Sequence, residues 1–250
     1  ACISGMLLQR MDYSGKFFPD MQPLNVFVVA LIAMLVCAAF GTVTGFFIAY
    51  LNVPPFIATL AMMEIVYGIG LIVTNATPLG GYVEQYTNVS NGKFLGINYL
   101  IWIAIIVAAI TWFIFNMTRH GKYMYAIGGN PQAAEVAGVP VKATLILIYM
   151  KAAAMYGLAG FMLGAKAGGA SVQTGYGYEM EAIAACTIGG VSVTGGRGKV
   201  SSAIIGVAVF ELLKVALQYL GMNANAQYIA IGVVIFIAIS LDIRKYIARK

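Results

Sequence analysis

The sequence predicts an all-α protein, a polytopic bundle of transmembrane helices, and three observations carry that expectation. Hydrophobic residues make up 61% of the 250-residue chain and charged residues only 10%, with a mean hydropathy of +0.86. A soluble domain cannot cover that much apolar surface with so few polar residues. The apolar residues are gathered into runs of membrane length, since a helix needs roughly 20 of them to cross the hydrocarbon core. Most of the basic residues, in turn, fall in three short clusters beside those runs.

The segments follow in order. Ala1–Leu8 is an apolar run too short to span, without the basic start and cleavage site of a signal peptide. It reads as the truncated first span of a longer membrane protein, of which residues 1–250 form the C-terminal portion. Seven full spans are expected after it: Val26–Leu51, Phe56–Thr74, Tyr99–Met117, Ala143–Ala165, Ala182–Val193, Ser201–Leu220 and Gln227–Leu241. Together residues 1–250 read as one transmembrane domain, with 118–142 as its long cytoplasmic loop.

Charge sets the orientation, because Lys and Arg concentrate near span ends on the cytoplasmic side. One cluster is Arg119, Lys122 and Lys142, a second is Arg197 and Lys199, and the third is Arg244, Lys245, Arg249 and Lys250. All three face the cytoplasm only if Ala182–Val193 crosses. The expectation is therefore a crossing helix rather than a re-entrant hairpin, extended back to Tyr178 and bent at Gly189–Gly190. The C-terminus is then cytoplasmic. The net charge of +6 reads as orientation and lipid contact, not as a nucleic-acid surface, because it is split among short loops.

Several chemistries drop out. Cys2, Cys37 and Cys186 are scattered without C-x-x-C spacing, and His120 is the single histidine, so no metal or disulfide framework is expected. G-x-S-x-G, H-E-x-x-H and the P-loop are absent from the sequence, so no catalytic residue, ATP hydrolysis or cofactor is assigned to this chain. Glu179 and Glu181 suit the N-terminus of the helix that follows them.

Packing and charge inside the membrane give further candidates. Gly41 and Gly45 form G-x-x-x-G, as do Gly160 and Gly164, with Gly157 one turn earlier; such small residues let helix backbones approach closely. Glu64, Lys151, Glu211 and Lys214 fall inside apolar runs, where ionisable groups are expensive. Glu211 and Lys214 are i,i+3 neighbours and can pair. Glu64 and Lys151 are open to pairing across helices, and Lys151 alternatively snorkels toward the interface near Lys142.

The long loop holds "AIGGNPQAAEVAGVPV". Asn130 suits an N-cap, Pro131 the first helical turn, and Glu135 is placed to complement the helix dipole. Gly138 stops the helix and Pro140 lies just beyond. A short helix over Pro131–Ala137 follows, presenting Ala133, Ala134 and Ala137 as a face of little bulk.

That stretch resembles the cytoplasmic coupling loop of bacterial ABC-importer permeases, in the order Ala133-Ala134-Glu135 with Gly138. "GYGYEMEAIAACTIGGVSVTGGRGKV" and "IAYLNVPPFIATLAMMEIVYGI" resemble two further signature segments of the monosaccharide branch, which has ribose, galactose and xylose types. The likeness runs through nearly the whole chain and favours the galactose type. It implies a ten-span permease in the cytoplasmic (inner) membrane of a bacterium. Asn130, Pro131, Ala133, Ala134, Glu135, Ala137 and Gly138 would dock on a separate ABC ATPase subunit. The likeness also implies a periplasmic or secreted sugar-binding protein on the outer side, a second permease copy forming a homodimer, and surrounding membrane lipid. No residue is assigned to the sugar. Lys151 departs from the family, where a small or hydroxyl residue is expected. The rival reading, an ion-coupled secondary transporter, would need carboxylates distributed along one path and inverted repeats, and neither stands out.

Overall fold

A computed structural model describes residues 1–247. In chain order the elements are α1 (Cys2–Leu7), α2 (Val26–Leu51), α3 (Pro55–Thr74), α4 (Glu84–Asn91), β1 (Lys93–Phe94), β2 (Ile97–Asn98) and α5 (Tyr99–Met117). Then come α6 (Arg119–Gly129), α7 (Pro131–Val136), α8 (Val141–Ala167), α9 (Tyr178–Ile188), α10 (Val200–Tyr219) and α11 (Ala224–Ile247). Among the described residues the fold is all-α apart from the β1–β2 hairpin, whose antiparallel register pairs Lys93 with Asn98.

Among the described residues five helices, α2, α3, α5, α8 and α10, are long and apolar enough to cross a membrane. One expected span differs. α9 does reach back to Tyr178, but it has 11 residues and ends at Ile188, with Gly189 as its C-cap, instead of running on to Val193. At 1.5 Å per residue it is about 16 Å long, well short of a hydrocarbon core of roughly 30 Å. Gly190, with φ +85°, turns the chain out of the helix. α11 has 24 residues and contains the expected Gln227–Leu241; within it Asn225–Ser240 is an apolar stretch. Of the C-terminal basic cluster, Arg249 and Lys250 lie outside the described residues, as do the side chains of Arg244 and Lys245.

The helices fall into two compact units. The first comprises Ala1–Val107 with Pro140–Gly175, and its dominant contact is α2 against α8. Glycines make that contact close. A Cβ on Gly45 would stand 2.8 Å from Ile146 Cα, and one on Gly157 would stand 2.7 Å from Ala33 O. Gly41 faces Tyr149 and Ala153 in the same way. The other glycine pair serves a different purpose: Gly164 leaves room for the Tyr86 hydroxyl. Tyr86, fully buried on α4, donates to Phe161 O of α8 at 2.7 Å, and Ser90 donates to Ala165 O at 3.2 Å. Leu8, Val29, Tyr82 and Phe161 complete the core around them.

The second unit comprises Ala108–Val139 and the chain from Tyr176 onward. Here α9 packs on α10 and α11 through Ala184, Ala185, Phe210 and Ile231. Gly206 of α10 lies directly against Ala185 and Gly189, so the two backbones touch.

Candidate coupling site

The loop expected over 118–142 is largely helical. Thr118 caps α6, its hydroxyl accepting from Gly121 N at 3.2 Å, and α6 then runs to Gly129. No local signal marks α6, which mixes Arg119, Lys122 and three glycines without an apolar run of membrane length.

Asn130 closes α6 and opens α7. Its extended backbone breaks the helix, and its side-chain oxygen accepts from Ala133 N at 2.9 Å. Pro131 occupies the first helical position, where its missing N–H costs nothing. The far end is closed by Gly138 at φ +83°, with Val139 N bonding Ala134 O and Gly138 N bonding Glu135 O, both at 3.0 Å. This is a complete Schellman closure, and it needs the left-handed conformation that glycine tolerates. Two caps therefore hold six residues in a fixed helical shape, whereas an isolated helix of that length would not persist in water.

The structure corrects three details of the expected site. α7 ends at Val136, so Ala137 is its C-cap rather than its last turn. Glu135 lies beyond the first turn and does not complement the N-terminal dipole. Ala134 is only 4% exposed and faces the protein, so the expected face of three alanines does not present itself outward. Asn130, Pro131, Ala133, Glu135, Ala137 and Gly138 are exposed. Val136, absent from the expected set, is 91% exposed and is the largest apolar side chain offered by α7. A six-residue helix carries no periodicity from which its outward face could be read.

The basic residues Arg119, Lys122, Lys142, Arg197 and Lys199 are all exposed. Lys142 places its ammonium 5.1 Å from the centroid of the Tyr50 ring, a cation–π contact. In the second unit, Lys214 pairs with Glu211 at 3.6 Å as the i,i+3 spacing suggests, but its shorter contact is to Glu181 of α9 at 2.8 Å. Glu179 and Glu181 do occupy the first turn of α9. Among the described residues no ion pair joins Glu64 to Lys151, and no group of three or more His, Cys, Asp or Glu is placed to hold a metal ion.

The family model described as "Branched-chain amino acid transport system / permease component" matches residues 1–239. The chain belongs to that permease-component family. The galactose/methyl galactoside import permease protein of Escherichia coli is 40% identical over 257 residues, covering 100% of this chain and 76% of that one. The protein of the same name from Haemophilus influenzae shows the same identity and coverage. The ribose import permease protein of Escherichia coli is 35% identical over 225 residues, covering 88% of this chain and 70% of that one. No solved structure matches the chain. As a permease component the chain is a multi-pass membrane protein, and its five span-length helices suit it to that role.

Proposed function

We propose that this permease component is the membrane subunit of an ATP-driven importer that carries a monosaccharide, galactose or methyl galactoside, across the cytoplasmic membrane of a bacterium. The observation that carries the reading is α7, a short helix capped at both ends whose Ala133, Glu135, Val136 and Ala137 point away from the protein. A rigid, outward knob of small residues suits a groove on a separate ATPase subunit. The likeness to galactose permeases over the full chain favours that sugar over ribose or xylose.

In this reading the spans have two packed arrangements, and nucleotide in the ATPase biases one of them through α7. A sugar-binding protein delivers substrate on the outer side, and a second permease copy completes the pathway. The exposed basic residues beside α6 and α7 suit the cytoplasmic side, the loop before α10 lies against Gly128 of α6 and so shares that side, and the C-terminal cluster suits it too.

The test is copurification of the full-length protein with its cognate ATPase, with and without Glu135→Arg and Gly138→Leu. Retention by the wild type and loss in the variant supports α7 as the docking element. Absence of any bound ATPase in the wild type sinks the importer reading in favour of an ion-coupled transporter. Uptake of labelled galactose against labelled ribose in the reconstituted complex then decides the sugar.

A further inference from the structure

The second unit contains an interlock of glycine backbones. Gly128, in the last turn of α6, lies against the loop Val191–Lys199 that joins α9 to α10. A Cβ on Gly128 would stand 2.5 Å from Gly196 N, one on Gly195 would stand 2.8 Å from Gly128 O, and one on Gly196 would stand 2.9 Å from Gly129 Cα. Each side of the contact thus requires the absence of a side chain on the other. Gly195 and Gly196 also have φ of +94° and +69°, a region open to glycine. One turn earlier on α6, the Tyr125 hydroxyl donates to Gly198 O at 2.8 Å. The loop is itself closed, with Ser192 N bonding Arg197 O at 3.1 Å and the Ser192 and Thr194 hydroxyls 2.9 Å apart.

This clasp joins two things the chain otherwise keeps far apart in sequence. On one side α6 continues into α7 through the single residue Asn130. On the other the loop continues from α9 and into α10, which are themselves in backbone contact at Gly206 and Gly189. Packed backbones with no side chains between them move as one body, since there is nothing flexible to absorb the displacement.

We propose that Gly128, Gly196 and Tyr125 are positioning residues for transport: they pass a displacement of α7 through α6 to the Val191–Lys199 loop, and so to α9 and α10. The inference rests on the docking role of α7 proposed above. The purpose of the clasp is to make the α9–α10 pair follow the coupling helix.

Two neighbouring glycines make the test. Alanine is favoured over glycine in a helix, so Gly128→Ala improves local propensity while wedging a methyl group into the clasp. Gly129→Ala makes the same chemical change where nothing lies within 4 Å, and serves as the control. Both are placed in the full-length permease bound to its ATPase, with Cys2, Cys37 and Cys186 replaced by Ala and a fluorescent label on Thr194→Cys, an exposed loop position. The expected result is an ATP-dependent change in label emission in the parent and in Gly129→Ala, reduced at least about tenfold in Gly128→Ala while the ATPase stays bound and its hydrolysis remains within about twofold. Tyr125→Phe, which removes one hydrogen bond and leaves the ring, shows the same loss to a smaller degree and stands in if Gly128→Ala misfolds. An unchanged response in Gly128→Ala, an equal loss in Gly129→Ala, or no response in the parent overturns the clasp. Failure of every form to hold ATPase overturns the docking reading, and the clasp with it; an ATPase that binds without moving the label overturns the clasp alone.

Discussion

Lys214 Nζ stands 2.8 Å from Glu181 Oε2, which ties the C-terminal half of α10 to the first turn of α9. Both side chains are 21% exposed, and Glu211 adds a longer contact at 3.6 Å from the surface of the same helix. Along a helix of span length a lone ammonium would be costly, and the two carboxylates offset that cost.

Removing one member of the pair should therefore hurt more than removing both. Glu181→Gln leaves Lys214 with its weaker partner only. A loss of about 1–3 kcal/mol in thermal unfolding in detergent is expected, below the full buried-pair figure because the site is partly exposed. Glu181→Gln combined with Lys214→Met should recover part of that loss. A double variant as unstable as the sum of the singles would show that the pair is not coupled.

The contact between α2 and α8 gives a prediction about side-chain volume. Gly45→Val pushes a branched side chain into Ile146, whose Cα lies 2.8 Å from where the Cβ would be. Overpacking of this kind costs about 1–3 kcal/mol. Gly68→Val on α3, where nothing lies within 4 Å, is the matched comparison and should change unfolding by no more than a few tenths of a kcal/mol beyond propensity. Equal destabilisation of the two would sink the claim that close backbone approach holds α2 to α8.

What the sequence made legible follows from how local the signal was. Asn130, Pro131 and Gly138 announced both ends of α7 because caps are written in adjacent residues. The runs behind α2, α3, α5, α8 and α10 were legible from length and hydropathy alone. α6 was not, because its 11 residues carry glycines and charges in place of a membrane-length apolar run. The burial of Ala134 and the partnership of Lys214 with Glu181, 33 residues away, are tertiary facts with no local trace. α9 was overextended because its apolar composition continues past Gly189–Gly190, where backbone conformation and not hydropathy ends the helix.

The corrected face of α7 separates docking from folding. Val136→Asp alters a side chain that is 91% exposed, so unfolding should shift by no more than about 0.5 kcal/mol. ATPase affinity should nevertheless fall about thirtyfold or more, the range of a hot-spot residue. Ala134→Asp has the opposite profile, since it buries an unpaired carboxylate and should cost roughly 3 kcal/mol of stability. Titration of the purified ATPase against each variant, beside its melting curve, reads both quantities. Full affinity in Val136→Asp would remove Val136 from the docking surface.

Tyr86 makes stability depend on alkaline pH. Its hydroxyl is fully buried and donates to Phe161 O, and burial pushes the phenol from an ordinary value of 10.0 up to about 12. Tyr82, 6% exposed in the same core, is raised for the same first reason. A folded-state value above the unfolded one means that the folded state holds the proton more tightly. The contribution is fully present below pH 10 and is lost as pH rises from about 10 toward 12, because the unfolded phenol ionises first. For Tyr86 the loss is on the order of 2 kcal/mol, given its complete burial. The unfolding midpoint in detergent should thus be flat between about pH 7 and 9 with respect to this group, then fall above 10. Tyr86→Phe starts lower at neutral pH by about 1 kcal/mol, for the hydrogen bond lost to Phe161 O. It should also fall less steeply in the alkaline range, so the two curves converge. Parallel curves would show that Tyr86 does not carry the alkaline dependence.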